Sequence, residues 1–149
     1  MKITTLLFLL LAHLSTAEIL RLSKVVEKAG DGVTQFELAQ GEDTQTLFVE
    51  DKAILTEADV LVALVSVRNA DAVDITLTPE GTEKMIAATT PMRPAIDRIA
   101  IILNGKVKSA PVIQSVPLGK NFVISGLTGK NEPENLAKLL SEKAEKEIK

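Results

Sequence analysis

The chain has 149 residues, 17 Lys plus Arg against 20 Asp plus Glu, one His, and no Cys, Trp or Tyr. A formal charge of −3 and 3% aromatics supply neither the basic field nor the stacking rings that nucleic acid needs. Without cysteine there is no disulfide framework, thiolate metal site or catalytic thiol, while 46% hydrophobic residues suit a folded domain.

Residues 1–17 read as an export signal. Lys2 beside the amino terminus gives a short positive region, Ile3 to Leu14 an apolar run, and Ser15 and Ala17 small residues before Glu18. The expected cut falls between Ala17 and Glu18. An uncleaved anchor is the rival reading, but about a dozen apolar residues fall short of the roughly 20 a spanning helix needs. Cleavage at this position leaves 132 residues and removes His13, so the mature chain has neither His nor Cys. No further apolar window of spanning length follows, and a periplasmic or secreted protein is expected.

The mature chain begins with short strands. Ile19–Leu22 and Val33–Leu38 alternate in polarity, with Gly30-Asp31-Gly32 between them as a turn, and Thr46–Val49 is a third short apolar run. Thr56 is placed to cap a helix, with Asp59 in the reciprocal capping-box position. The β-branched stretch Leu61–Val67 and its partner Val73–Leu77 favour a hairpin turning at Arg68–Asp71. Thr78-Pro79-Glu80-Gly81 opens a helix with a cap, an N1 proline and acidic residues at its positive end; Pro91 limits it near Thr90.

Ile99–Leu103 is a fully apolar strand that turns back at Asn104-Gly105 into Lys106-Val107-Lys108. Pro111 makes Ser109-Ala110-Pro111 an edge or a bulge. Phe122–Ile124 is a last strand, ended by Ser125-Gly126. In the closing helix Asn131 is the expected cap, with Pro133 and Glu134 in the first turn. Leu136, Leu139, Leu140, Ala144 and Ile148 form its apolar stripe, and Glu142–Lys146 and Glu145–Lys149 its outer ion pairs. The whole predicts an α+β fold: a mostly antiparallel sheet with two or three helices on one face.

Four stretches together resemble the head subdomain of the first periplasmic domain of the SecD and SecDF family. They are Leu55–Val60, similar to the family's LTGADV; Ile75–Gly81 with Thr89 or Thr90 further on; Ile99–Ile113, similar to IVLDGKVISAPVI; and Ile124-Ser125-Gly126 followed by Leu136–Leu140. Asn104 stands where the family more often has Asp, and Lys108 where it often has an apolar residue. The resemblance implies a division into N-terminal strands over 18–47 and a head-like region over 48–149, within one domain. It implies a mainly structural role for Thr78, Pro79, Glu80, Gly81, Asn104, Gly105, Ser109, Ala110, Pro111 and Gly126. The family's transmembrane helices and base subdomain have no counterpart in these residues, so fold and compartment carry over more firmly than activity.

Nucleophilic catalysis needs a Ser, Thr or Cys beside a base. Ser109 near Lys106 or Lys108 is the best pairing available, and its place in a hairpin motif accounts for it without catalysis. The carboxylate pairs Glu50-Asp51, Asp71 with Asp74, and Glu80 with Glu83 fall at turns and helix starts, where acids are ordinary. No catalytic residue, cofactor or metal is expected. The expected function is a non-enzymatic accessory module that contacts protein or unfolded polypeptide, with Lys108, Val112 and Ile113 as the candidate contact edge. The alternative is a structural protein bound to one specific folded partner.

Overall fold

A computed structural model describes residues 18–147; the expected signal peptide, Ile148 and Lys149 lie outside them. Nine strands and two helices follow in the order β1 (Leu20–Val26), β2 (Val33–Gln40), β3 (Asp43–Glu50), β4 (Leu55–Thr56), β5 (Val60–Val65), β6 (Val73–Leu77), α1 (Pro79–Thr89), β7 (Ile99–Leu103), β8 (Lys106–Ser109), β9 (Asn121–Ile124) and α2 (Glu132–Glu147). A single 3-10 turn, Glu57–Asp59, joins β4 to β5. The expected antiparallel α+β architecture is present, but the strands form two sheets: β2-β3-β1-β7-β8 with β4 paired to β1, and β5-β6-β9.

The apolar run at β7 is explained by burial on both sides. Successive strand residues point to opposite faces. Ile99 and Ile101 therefore enter the main core with Leu20, Leu22, Met85, Ile75 and Leu140. Ala100 and Ile102 enter a second cluster with Leu38, Leu47, Val49, Val107 and Ala110. That second cluster is the covering made by the β2–β3 hairpin, whose eight paired residues run from Val33↔Glu50 to Gln40↔Asp43. The sequence suggested a turn at Gly30–Gly32 linking neighbouring strands. Instead β3 lies between β1 and β2, through Val25↔Val49 and Val26↔Phe48, because the apolar face of β3 is needed over β7.

Elsewhere local signals hold. Thr56 and Asp59 form the capping box, around one 3-10 turn rather than a longer helix. β5 and β6 are the predicted hairpin. Thr78 caps α1 by accepting from the Gly81 N–H at 3.0 Å, with Pro79 at the first position. At α2 the structure departs from expectation. Asn131 adopts a left-handed φ of 55°, and the terminal bond is made by the Glu132 carboxylate, which accepts from the Gly129 N–H at 2.8 Å. Leu136, Ala137 and Leu140 are its buried face; Leu139 is 44% exposed. Its outer ion pair is Lys138–Glu142 at 3.9 Å.

Candidate functional site

The resemblance-bearing hairpin Ile99–Ile113 has two ends. At the turn end Asn104 (φ 50°) and Gly105 (φ 79°) both take the left-handed conformation that a tight two-residue hairpin requires. The register then slips, with Ile102 opposite Val107 and Ile101 opposite Ser109, so Lys108 is an extra residue in β8. Such a bulge re-aims a side chain. The Lys108 ammonium sits 2.8 Å from the Glu132 carboxylate in the first turn of α2. That contact, helped by the Gly129 N–H and opposed by burial, holds Glu132 below its ordinary pKa.

At the other end the chain runs on past β8 as a continuation of the ladder. Arg98 pairs with Val112 in an isolated bridge. The Ile99 N–H donates to the Pro111 carbonyl (3.2 Å) and the Ile113 N–H to the Asp97 carbonyl (2.9 Å). Arg98 Nε–H also donates to the Ala110 carbonyl at 2.7 Å. The Ala95 N–H, in a loop braced by the Arg93–Asp97 ion pair, closes on the Ile113 carbonyl at 2.7 Å. Arg93 brings Asp97 down to about 2. Ile113 is thereby buried, whereas Val112 is 37% exposed.

Beside Val112 lies a groove of about 270 Å³ between the two sheets. Its floor is Leu22, Met85, Ile99 and Ile101; one wall is Pro111–Ser115 with Leu118, and the other is Phe122 and Val123 of β9. Among the described residues no charged side chain lines it. Thr89, fully buried in the last turn of α1, donates its hydroxyl to the Met85 carbonyl and accepts the Leu118 N–H at 2.9 Å. It thus ties a wall residue to a floor residue. Lys108, Val112 and Ile113 do not converge: Lys108 faces α2, Ile113 is core, and Val112 alone of the three stands at an exposed rim.

Two further contacts hold the frame. Adding a Cβ to Gly81 would place it 2.8 Å from both Asp59 Cβ and the Asp59 carbonyl, so this glycine is dictated by close approach of α1 to the 3-10 turn. Lys84 reinforces that approach at 2.7 Å from Asp59, which raises the Lys84 pKa. Glu57, 5% exposed, accepts from the Ile19 N–H (3.1 Å), the Leu20 N–H (3.4 Å) and Lys143 Nζ (2.8 Å). Burial alone raises the Glu57 carboxyl, but Lys143 and the amides outweigh it and the pKa falls below its ordinary value.

The β9 wall was not singled out from sequence. Phe122-Val123-Ile124 reads there only as a strand; its standing at a sheet edge depends on pairing with β6, which is 45 residues away at Thr76↔Asn121. Among the described residues no cluster of three or more His, Asp or Glu groups is placed to hold a metal. No described helix is long and apolar enough to cross a membrane.

Two antiparallel sheets, a two-residue hairpin between β7 and β8 and an uncharged groove between the sheets define an α+β domain. The chain belongs to the SecDF family: residues 33–144 match the family described as "SecDF, P1 head subdomain". It is similar to a solved chain described as "Structure and function of a membrane component SecDF that enhances protein export", at 25% identity and a TM-score of 0.60. That likeness covers 84% of this chain and 62% of the other. A second similar structure, "Crystal structure of SecDF in Super-membrane-facing form", has the same identity and TM-score, with 84% of this chain and 19% of that one covered. No curated protein matches the chain.

Proposed function

We propose that this chain is an exported, non-enzymatic accessory module that contacts extended polypeptide at the groove between Pro111–Ser115 and β9. The observation that carries the reading is the groove itself, apolar and uncharged in a chain of which a quarter is charged. Such a lining favours the uncharged segments that an unfolded chain exposes and a folded one buries. Membership of a family whose solved relative enhances protein export supports the same direction. Export rests on the signal at residues 1–17, with release between Ala17 and Glu18.

The test is crosslinking from a photoreactive residue at Val112, with Lys146 on the outer face of α2 as the comparison position. Unfolded chains are expected to label at Val112 well above Lys146. Equal labelling overturns the reading.

A second reading, docking to one folded partner, is favoured by a different surface. Leu61, Val62 and Leu64 on β5 are 42%, 39% and 63% exposed, and Val67 beyond them is 98% exposed. Affinity purification separates the two: a single stoichiometric partner whose binding is lost on Leu64→Ser supports docking, and many substoichiometric clients support the groove.

A further inference from the structure

The backbone beside the groove has hydrogen-bonding groups that the fold leaves unused. In an antiparallel ladder, residues alternate between those bonded to the neighbouring strand and those whose N–H and C=O point away from it. The Leu77 N–H donates to the Lys120 carbonyl, which sets the phase of the β6–β9 ladder. Phe122 and Ile124 therefore bond to β6, and Asn121 and Val123 turn their N–H and C=O outward. β9 is the last strand of its sheet. Among the described residues, no hydrogen bond engages the backbone of Val123 or the backbone N–H of Asn121. On the facing rim the bonds from Ile99 to Pro111 and from Ile113 to Asp97 set the same phase, so Val112 also turns its N–H away from β7.

We propose that β9 is a strand-addition site: an extended peptide segment pairs with its open edge through the Val123 N–H and C=O. This rests on the polypeptide reading above and specifies its chemistry. Side chains alternate along an added strand. Those pointing inward drop onto Met85, Ile99 and Ile101, and those between them face solvent, where Asn121 and the 53% exposed Val123 already lie. Because no charge lines the groove, an inward Asp, Glu, Lys or Arg finds no partner there and meets a desolvation cost. The favoured ligand is a run of about four to six residues, an ordinary strand length, uncharged at alternate positions and not set by identity at the rest. Most of the recognition is main-chain.

The probe is a synthetic eight-residue peptide alternating Val and Thr, made in three forms. One is unmodified, and the others carry backbone N-methyl groups on one or the other set of alternate residues. Binding to the protein is followed by fluorescence anisotropy, and amide exchange at Val123 by NMR. The expected result is that one N-methyl set abolishes binding, the other is tolerated, and the Val123 amide becomes protected when the unmodified peptide binds. Val123→Pro removes only an outward donor at a sheet edge. It is expected to weaken binding about three- to tenfold, the worth of one hydrogen bond.

Equal binding of both N-methylated peptides, with no protection at Val123, overturns strand addition while leaving groove binding intact. Failure of the unmodified peptide to bind at all overturns the polypeptide reading itself. Self-association of the protein that buries the β9 edge and excludes the peptide overturns the proposal in favour of a second copy. The exchange measurement is made on the unaltered protein and does not depend on how Val123→Pro folds.

Discussion

The two ends of the Ile99–Ile113 hairpin share one strand pair and have opposite surroundings. At the turn end Asn104, Gly105 and Lys106 are exposed, but Val107 lies under the β2–β3 covering and Lys108 is fixed to Glu132. At the far end Ile113 is buried but Val112 keeps an exposed side chain and an outward N–H, beside an unfilled groove. The lesson is that an apolar strand stabilises a fold only where something covers it. β7 is covered by β2–β3 on one side and the main core on the other, and the same core runs out at β9 before its last gap is closed.

The largest expected effect separates the covered side from the open one. Ile102 is 2% exposed beneath the β2–β3 hairpin. Ile102→Ala should cost about 3 kcal/mol, from lost transfer free energy and the cavity left behind. Val112→Ala at the open rim should stay within about 0.5 kcal/mol. Urea denaturation of both variants measures the contrast, and similar losses would break it.

Next in size is Gly81→Ala. A Cβ 2.8 Å from a backbone carbonyl cannot be relieved by a side-chain rotation, so α1 must shift from the Glu57–Asp59 turn. About 2 kcal/mol of destabilisation is expected, in the range of overpacking. Because α1 carries Met85 and Thr89, the groove floor and the Leu118 wall move with it. Thermal denaturation gives the loss, and photolabelling at Val112 reports whether the groove is disturbed with it.

How much of this was legible in the sequence depends on distance along the chain. Asn104-Gly105 and Thr78-Pro79 specify their turn and helix start through backbone sterics and a cap three residues away, and both are found as predicted. The β5–β6 hairpin is likewise local. Asn131 is the local exception: its own φ is left-handed, and Glu132 reaches back to Gly129 in its place. The split into two sheets, the insertion of β3 beside β1, and the opposition of Val112 to Val123 are set by contacts between distant segments. An apolar triplet such as Phe122-Val123-Ile124 cannot announce whether its edge will be covered. Lys108 is intermediate, since the sequence marks Ser109-Ala110-Pro111 as an edge or a bulge without choosing between them, and the direction of the Lys108 side chain is fixed by α2.

Glu57 tests whether the frame or the groove governs pH response. Its folded pKa is depressed, so its contribution is present above the unfolded value of about 4.3 and is lost as pH falls through the folded value. Glu57→Gln removes the anion from Lys143 and leaves one acceptor oxygen where the Ile19 and Leu20 amides use two. A loss of about 1–2 kcal/mol is expected at pH 7, within the range for hydrogen bonds to charged groups. The variant should lose less stability than the parent between about pH 5 and 3. Urea titrations across that range check the sign; parallel pH curves would remove Glu57 from the account.

The smallest effect runs the other way and lies at the open end. Ala95 holds a φ of 62° while its N–H donates to the Ile113 carbonyl at 2.7 Å. A left-handed alanine is strained by about 1 kcal/mol through its Cβ, and glycine is free of that strain. Glycine also gives the unfolded chain more freedom, which offsets part of the gain. Ala95→Gly should therefore stabilise by about 0.5 kcal/mol, read as a rise in the urea midpoint at unchanged slope. Leaving Ile113 bonded and Val112 exposed, it should not alter photolabelling at Val112. A destabilised variant would mean that the Ala95 methyl braces the 109–113 segment by contact, and that the open end is held by more than its backbone bonds.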